Sequence, residues 1–302
     1  MSKIFFHNDL DGRCAGAIAY RALKHQDKDS KIELIEVDYK DKIKVKEIQI
    51  CEKIIIVDFS FKPEIMEKVL LLTKNIIWID HHKTAFEYKY SEELEGLRDK
   101  AFSGCELTWK YFIPEARIPR AVELIGDRDI WKWEFGQHTA NFNMGLKLYS
   151  HQPEDKIWDE LFPYSAIPLC FGKAGHDTLR KVLEIEKEGV ICCQFRDMFC
   201  SDYAKSYGFE TEFEGYKCFA LGLYMFGSEA FGDRMKDYDI CLSFAYLGDN
   251  WTVGLYSDGK GIDVGKLAQK YGKKYGTSGG GHFSAAGFTA PELPFKKKEK
   301  FK

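Results

Sequence analysis

A chain of 302 residues, 45% hydrophobic and 30% charged, has apolar material for about two globular domains at roughly 100–200 residues each. Its net charge of −3 lacks the basic excess of a protein that tracks long nucleic acid, and no apolar run approaches the ~20 residues a membrane-spanning helix needs. Nine cysteines without a C-x-x-C pair argue against a disulfide framework and a zinc ribbon.

Met1-Ser2-Lys3 passes directly into a strand with no signal-peptide core, which fits a cytoplasmic protein. The strand Ile4-Phe5-Phe6 runs into His7-Asn8-Asp9-Leu10-Asp11-Gly12. From Gly12 to Gln26, the residues Cys14, Ala15, Ala17, Ile18, Ala22 and Leu23 form the apolar stripe of a helix packed on a sheet. Ile32 to Val37 reads as a second strand, and Ile54-Ile55-Ile56-Val57 as a third that ends at Asp58. Pro63 suits a helix start, so Glu64 to Asn75 reads as a crossover helix. The strand Ile76-Ile77-Trp78-Ile79 then delivers Asp80-His81-His82. This alternation is that of an α/β protein with a mostly parallel sheet. Three buried strands stop at acids or histidines, where open α/β sheets bind ligands. Carboxylates crowded onto one sheet edge call for a bound cation.

Glu87 to Lys100 is polar and acidic, the pattern of a surface loop around a substrate entrance. Ser103 to Phe112 and Arg117 to Ile125 read as helices, the second followed by Gly126-Asp127-Arg128-Asp129-Ile130-Trp131. The stretch from Pro153 to Gly208 is helical in pattern and suits an interdomain connector; Cys192 and Cys193 read as core packing within it. Tyr216 to Leu223, Asp239 to Leu247 and Trp251 to Ser257 read as strands, Asp263 to Tyr271 as an amphipathic helix, and Gly279-Gly280-Gly281-His282 as the end of a glycine loop. The basic run Lys296 to Lys302 reads as a solvated end. The expected organisation is a parallel-sheet domain over 1–152, a helical connector over 153–207, a smaller α/β domain over 208–292 and a tail over 293–302.

These motifs resemble, over nearly the whole chain, the DHH phosphoesterase superfamily in its branch with a DHHA1-type C-terminal domain. His7-Asn8-Asp9-Leu10-Asp11-Gly12 is similar to the family's H-x-D-x-D-G, Val57-Asp58 to its second motif, and Asp80-His81-His82 to its eponymous triplet. Asp127 resembles its fourth acid, and Gly279-Gly280-Gly281-His282 its GGGH loop. The resemblance implies one divalent metal on His7, Asp9 and Asp58 and a second on Asp11, Asp58, His81 and Asp127, with Asp58 bridging. It makes Asp80 an orienting residue or a direct participant, sets His82 against the scissile phosphate, and gives Gly279, Gly280, Gly281 and His282 to the substrate. The fourth motif offers two acids here, so Asp129 stands as the alternative to Asp127.

Imidazoles mixed with carboxylates suit two Mn²⁺ ions better than Mg²⁺, the other hard cation open to the site. Two such ions about 3.5–4 Å apart activate water against phosphorus and neutralise attacking and leaving oxygens. Glycines without Cβ let backbone N–H groups approach a phosphate closely. The leading expectation is a Mn²⁺-dependent phosphodiesterase trimming short RNA or dinucleotides to mononucleotides, similar to the nanoRNases of this superfamily. No long-duplex nucleic acid or membrane partner is expected, and a homodimer is left open. The alternatives are a pyrophosphate or polyphosphate hydrolase, a cyclic or linear dinucleotide signalling phosphodiesterase, and a binding module whose catalytic core has decayed. Trp131 and Trp133 read as core packing or as nucleobase-stacking residues, and Arg234 as a phosphate contact or a plain surface residue. His25, His138, His151 and His176 read as structural.

Overall fold

The computed structural model describes residues 1–39, 41–50, 52–162, 173–258 and 261–297. Part of the expected connector, 163–172, and the end of the basic tail, 298–302, lie outside the described residues. Compactness divides the chain into two units, Met1–Cys193 and Gln194–Lys302.

The N-terminal unit is built on a four-stranded sheet in the order β2-β1-β3-β4, with β1 Ser2–His7, β2 Ile32–Val37, β3 Lys53–Val57 and β4 Ile76–Ile79. All three pairings are parallel. Helices cover both faces of such a sheet, which is why β3 and β4 read as unbroken apolar runs. The period of two divides those runs between two cores. Ile4, Phe6, Ile55, Val57, Ile77 and Ile79 join one cluster with α1 (Leu10–Gln26), α4 (Gly104–Phe112) and α5 (Arg120–Asp129), while Phe5, Ile54, Ile56, Ile76 and Trp78 join another with α2 (Pro63–Leu70). Burying each large aliphatic or aromatic side chain stabilises by about 1.5–3 kcal/mol. The sheet is thereby a rigid platform whose carboxyl edge carries the polar motifs.

Two expectations gain detail here. The stretch 87–100 is irregular and mostly exposed, as a surface loop should be, but it is docked on the sheet. Trp78 N donates to Glu95 O at 2.8 Å and Asp80 N to Leu97 O at 3.1 Å, so the segment lies along the edge of β4. Leu94 is buried there, and the Arg98 guanidinium sits 4.8 Å over the Trp78 ring. A parallel edge strand left bare would offer unpaired amides, and this segment satisfies them. The second is at α5, which runs on to Asp129 and so carries the fourth motif in its last turn. After the short α3 (Thr84–Glu87) and the helices above come α6 (Gln137–Leu146) and α7 (Ile157–Leu161). The long α8 (Lys173–Tyr207) is continuous through the boundary of the two units.

The C-terminal unit holds a six-stranded sheet in the order β5-β6-β7-β8-β10-β9. Its strands are β5 Phe209–Phe213, β6 Tyr216–Leu221, β7 Ile240–Tyr246, β8 Trp251–Tyr256, β9 Gly279–Gly281 and β10 Ala285–Ala290. The pairing of β6 with β7 is parallel and the others are antiparallel. The short α9 (Arg234–Asp237) precedes β7, and α10 (Val264–Tyr275) packs on the sheet through Val264, Ala268 and Tyr271. The glycine run is therefore an edge strand and not a loop. A Cβ on Gly279 would lie 2.2 Å from Ala268 O, so close helix packing is one physical reason for glycine there.

Candidate metal centre

Four segments bring titratable side chains to the carboxyl edge of the parallel sheet. At the end of β1, Asp9 caps α1: its Oδ1 accepts from Gly12 N at 2.9 Å, and its Oδ2 lies 2.7 Å from His7 Nδ1. Burial works to raise the Asp9 pKa, but the hydrogen bond and charge of His7 and the Gly12 amide outweigh it and hold it at about 2. Gly12 is fixed by space, since a Cβ would stand 2.3 Å from His7 O. In the first turn of α1, the buried Asp11 carboxylate accepts from Gly104 N at 2.6 Å and Cys105 N at 3.0 Å, the first amides of α4. Those amides lie at the positive end of the helix dipole and orient the carboxylate.

Asp58, directly after β3, is fully buried and adopts φ +54. A non-glycine residue held in that left-handed region is strained, by about 1–3 kcal/mol, and such strain collects at functional sites. Neither of its carboxylate oxygens has a hydrogen-bond partner. Oδ2 faces His7 Nδ1 at 3.8 Å, and Oδ1 faces His81 Nε2 at 3.1 Å and His82 Nδ1 at 3.6 Å. Burial pushes its pKa well above the usual carboxylate range, and the charges of Asp11, Asp9, Asp129 and Asp80 push the same way.

After β4, Asp80 Oδ1 accepts from His81 N at 2.8 Å and His82 N at 3.1 Å and lies 2.8 Å from His82 Nδ1, while Oδ2 accepts from Ser60 Oγ at 2.5 Å. Its carboxylate is saturated by these bonds. It sets the turn and the ring of His82, leaving the other ring nitrogen, Nε2, for a ligand. Burial opposes protonation of His82, yet the bond and charge of Asp80 raise its pKa above the ordinary imidazole value. His81 goes the other way: burial lowers its pKa, so the neutral, ligating form is favoured. Its Nε2 has no hydrogen-bond partner and lies 3.3 Å from Asp129 Oδ2 and 3.8 Å from Asp11 Oδ2.

The fourth motif separates into two tasks. Asp127 does not face the cluster. Its carboxylate accepts from Glu134 N at 2.8 Å, Phe135 N at 3.3 Å and Thr139 Oγ1, and its carbonyl accepts from Lys132 N at 2.9 Å. Asp129 is the acid that reaches His81. Its pKa is raised well above the carboxylate range by burial, with the charges of Asp11, Asp9 and Glu106 adding to it.

The side chains thus form two groups with metal-ligand spacing, His7–Asp9–Asp58 and Asp11–His81–Asp129, and a third, Asp58–His81–His82, shares a residue with each. Divalent cations fit this set on the molecule's own terms. Unpaired buried carboxylate oxygens and a buried imidazole nitrogen without a partner cost free energy that cations would offset. The donors are hard oxygens and imidazoles with no thiolate. Of the residues expected from sequence, His7, Asp9, Asp11, Asp58, His81 and His82 come together, Asp80 backs them, and Asp127 stands aside. In the C-terminal unit, His282 follows β9 and is exposed, its N–H donating to Ala285 O at 2.8 Å. Sequence reasoning passed over Gly104, where a Cβ would meet Asp58 Cβ at 2.5 Å. The capping box of Ser103 and Glu106 that starts α4 was its legible signal.

Residues 3–126 match the DHH family, N-terminal domain, and residues 234–302 match the DHHA1 domain. The chain carries an N-terminal domain and a DHHA1 domain of the DHH family. Its members are metal-dependent phosphoesterases, and this DHH chain keeps the acids and histidines that such chemistry uses. An uncharacterized protein of Acanthamoeba polyphaga mimivirus is 26% identical over 299 residues; the match covers 94% of this chain and 62% of that relative. Among solved structures, the pGpG-specific phosphodiesterase PggH from Vibrio cholerae aligns with 96% of this chain and 93% of its own, at TM-score 0.50 and 15% identity. RecJ in complex with Mn²⁺ from Thermus thermophilus aligns with 95% of this chain and 49% of its own, at TM-score 0.48 and 15% identity. No helix among the described residues is long and apolar enough to cross a membrane.

Proposed function

We propose that this DHH protein is a Mn²⁺-dependent phosphodiesterase that hydrolyses short oligoribonucleotides or dinucleotides to mononucleotides. The observation that carries the metal-assisted part is Asp58, a buried carboxylate whose two unpartnered oxygens face two different ligand groups. His7, Asp9 and Asp58 would hold one divalent cation and Asp58, Asp11, His81 and Asp129 the second, with Asp58 shared. When bound, the pair supplies Lewis acidity for water and for the phosphoryl oxygens.

The chain's own residues do the rest. The amides of Gly104 and Cys105 hold the Asp11 carboxylate in place. Asp80 fixes the His82 ring through Nδ1 and keeps it basic, so that Nε2–H can donate to a phosphoryl oxygen or pass a proton to the departing alkoxide. Gly279 to Gly281 and His282 are proposed to contact the substrate phosphate through the glycine amides and the exposed imidazole. The small-nucleotide reading is supported by the resemblance to nanoRNases, by the net charge of −3, and by a fold shared with a pGpG-specific phosphodiesterase.

The test is hydrolysis, with Mn²⁺ and with EDTA, of a linear RNA dinucleotide, a longer RNA, a cyclic dinucleotide, pyrophosphate and polyphosphate. Fast Mn²⁺-dependent cleavage of the dinucleotide with the longer RNA spared is expected. Turnover confined to the inorganic substrates would move the protein to phosphoanhydride hydrolysis and leave the metal centre intact.

A further inference from the structure

The turn that follows Asp129 is unusual in three respects. Trp131 and Trp133 both hold positive φ, +58 and +55, a region that bulky residues rarely adopt. Almost the whole hydrogen-bonding capacity of the buried Asp127 is spent on fixing this turn: its carbonyl takes Lys132 N, and its carboxylate takes Glu134 N, Phe135 N and Thr139 Oγ1. The two indoles then part company. Trp133 packs against the cluster of Ala140, Met144 and Cys193, whereas Trp131 is 52% exposed. Their rings cross at 82° with centroids 5.0 Å apart, so the inner indole braces the outer one.

Core packing accounts for Trp133 and not for Trp131. The outer indole follows Asp129 by two residues, so its Cα stands within about 7.6 Å of that ligand's Cα, two trans-peptide steps. A strained backbone, a dedicated buried anchor and an aromatic brace all hold one solvent-facing indole two residues along the chain from Asp129. An aromatic face suits a planar, uncharged group, and inorganic phosphates have none.

We propose that Trp131 forms a nucleobase-stacking subsite of the metal centre, so that the substrate carries a base on a nucleotide flanking the scissile phosphate. This rests on the phosphodiesterase reading above and narrows it, because pyrophosphate and polyphosphate gain nothing from the subsite. Asp127 is the positioning residue of the subsite and acts only through the turn.

The experiment compares wild type with Trp131→Gly, which suits the positive φ and removes the ring, and Trp131→Phe, which keeps a ring. Each is assayed in Mn²⁺ on a linear dinucleotide and on its abasic analogue. Trp131→Gly is expected to lower the kcat/KM ratio of dinucleotide to abasic analogue by about tenfold or more, mostly through KM, with Trp131→Phe recovering most of it. A ratio unchanged in Trp131→Gly overturns the subsite. Binding gives a readout free of turnover. Trp131 is the most exposed of the six tryptophans, so AMP should quench intrinsic fluorescence where ribose 5-phosphate does not, and Trp131→Phe should abolish the difference. Equal quenching by both ligands, or a base-dependent quench that persists in Trp131→Phe, overturns the subsite as well. If wild type hydrolyses neither diester yet shows the base-dependent quench at Trp131, the subsite stands and the phosphodiesterase reading falls.

Discussion

At the scale of the residue, Asp58 concentrates the conflict between stability and function. A fully buried carboxylate without a hydrogen bond, surrounded by other acids, destabilises the metal-free fold. Asp58→Asn removes that charge and keeps the volume, so the metal-free variant is expected to melt a few degrees above metal-free wild type. The same change should lower Mn²⁺-dependent turnover by about 10³-fold or more, because the two oxygens of this side chain face His7 of one proposed cation site and His81 of the other. Thermal melts in EDTA and metal content by mass spectrometry check the two halves separately; a metal-free variant less stable than wild type would contradict the charge argument. The acids of the fourth motif divide by the same logic. Asp129→Asn should lose metal while its melting temperature in EDTA holds or rises. Asp127→Ala leaves buried amides and a hydroxyl without an acceptor and should cost about 3–5 kcal/mol of stability, read by denaturant unfolding. The sequence displayed both acids and left the choice open. Positions two apart on a helix point about 200° from each other, so only one could face the centre. That phase becomes readable only once α5 is known to reach Asp129, beyond the end at Ile125 that the pattern suggested.

Among the elements, the strand ends were legible because burial on both faces makes β1, β3 and β4 nearly uniform in apolar character up to the first acid or histidine. The N-terminus of α4 was legible as a cap and not as part of the site. Its role is a tertiary one, in which two helix amides meet Asp11 from 93 and 94 residues away in the chain. Gly104→Ala would press a methyl group on Asp58, with contacts of 2.5 Å to Cβ and 2.7 Å to Oδ1. Mn²⁺ affinity in that variant is expected to fall about 10–100-fold, the usual cost of disturbing the groups that orient metal ligands. Calorimetric titration with Mn²⁺ measures this, and wild-type affinity would show that Asp58 tolerates the displacement. Elements without a strong local signal were the least legible. The stretch 87–100 is polar by composition, yet its backbone pairs with β4, and composition does not report backbone pairing. Gly279 to Gly281 carries no side-chain alternation, so nothing local marks it as a strand; its pairing with β10 and the close approach of α10 do.

For the whole molecule, the polar cluster and the apolar cores are distributed unequally between the two compact units. The parallel sheet, with every ligand-spaced group found among the described residues, lies within Met1–Cys193, whereas Gln194–Lys302 has its own cores around Phe213, Leu242 and Phe288 and around Leu221 and Phe231. Cation binding to the native state raises stability by RT ln(1 + [M]/Kd), about 2.7 kcal/mol at a hundredfold excess over Kd. That free energy enters through the first unit. Hydrogen exchange with and without Mn²⁺ is therefore expected to show added protection at the carboxyl ends of β1, β3 and β4 and in the first turn of α4, where amides hold Asp11. The strands β6, β7 and β8 should change far less. Asp58→Asn should erase the Mn²⁺-dependent protection in the first set while leaving the second as it was. Protection that rose equally in both sheets would mean that the ions couple to the whole chain as one cooperative unit, and the assignment of the binding free energy to the parallel-sheet edge would have to be given up.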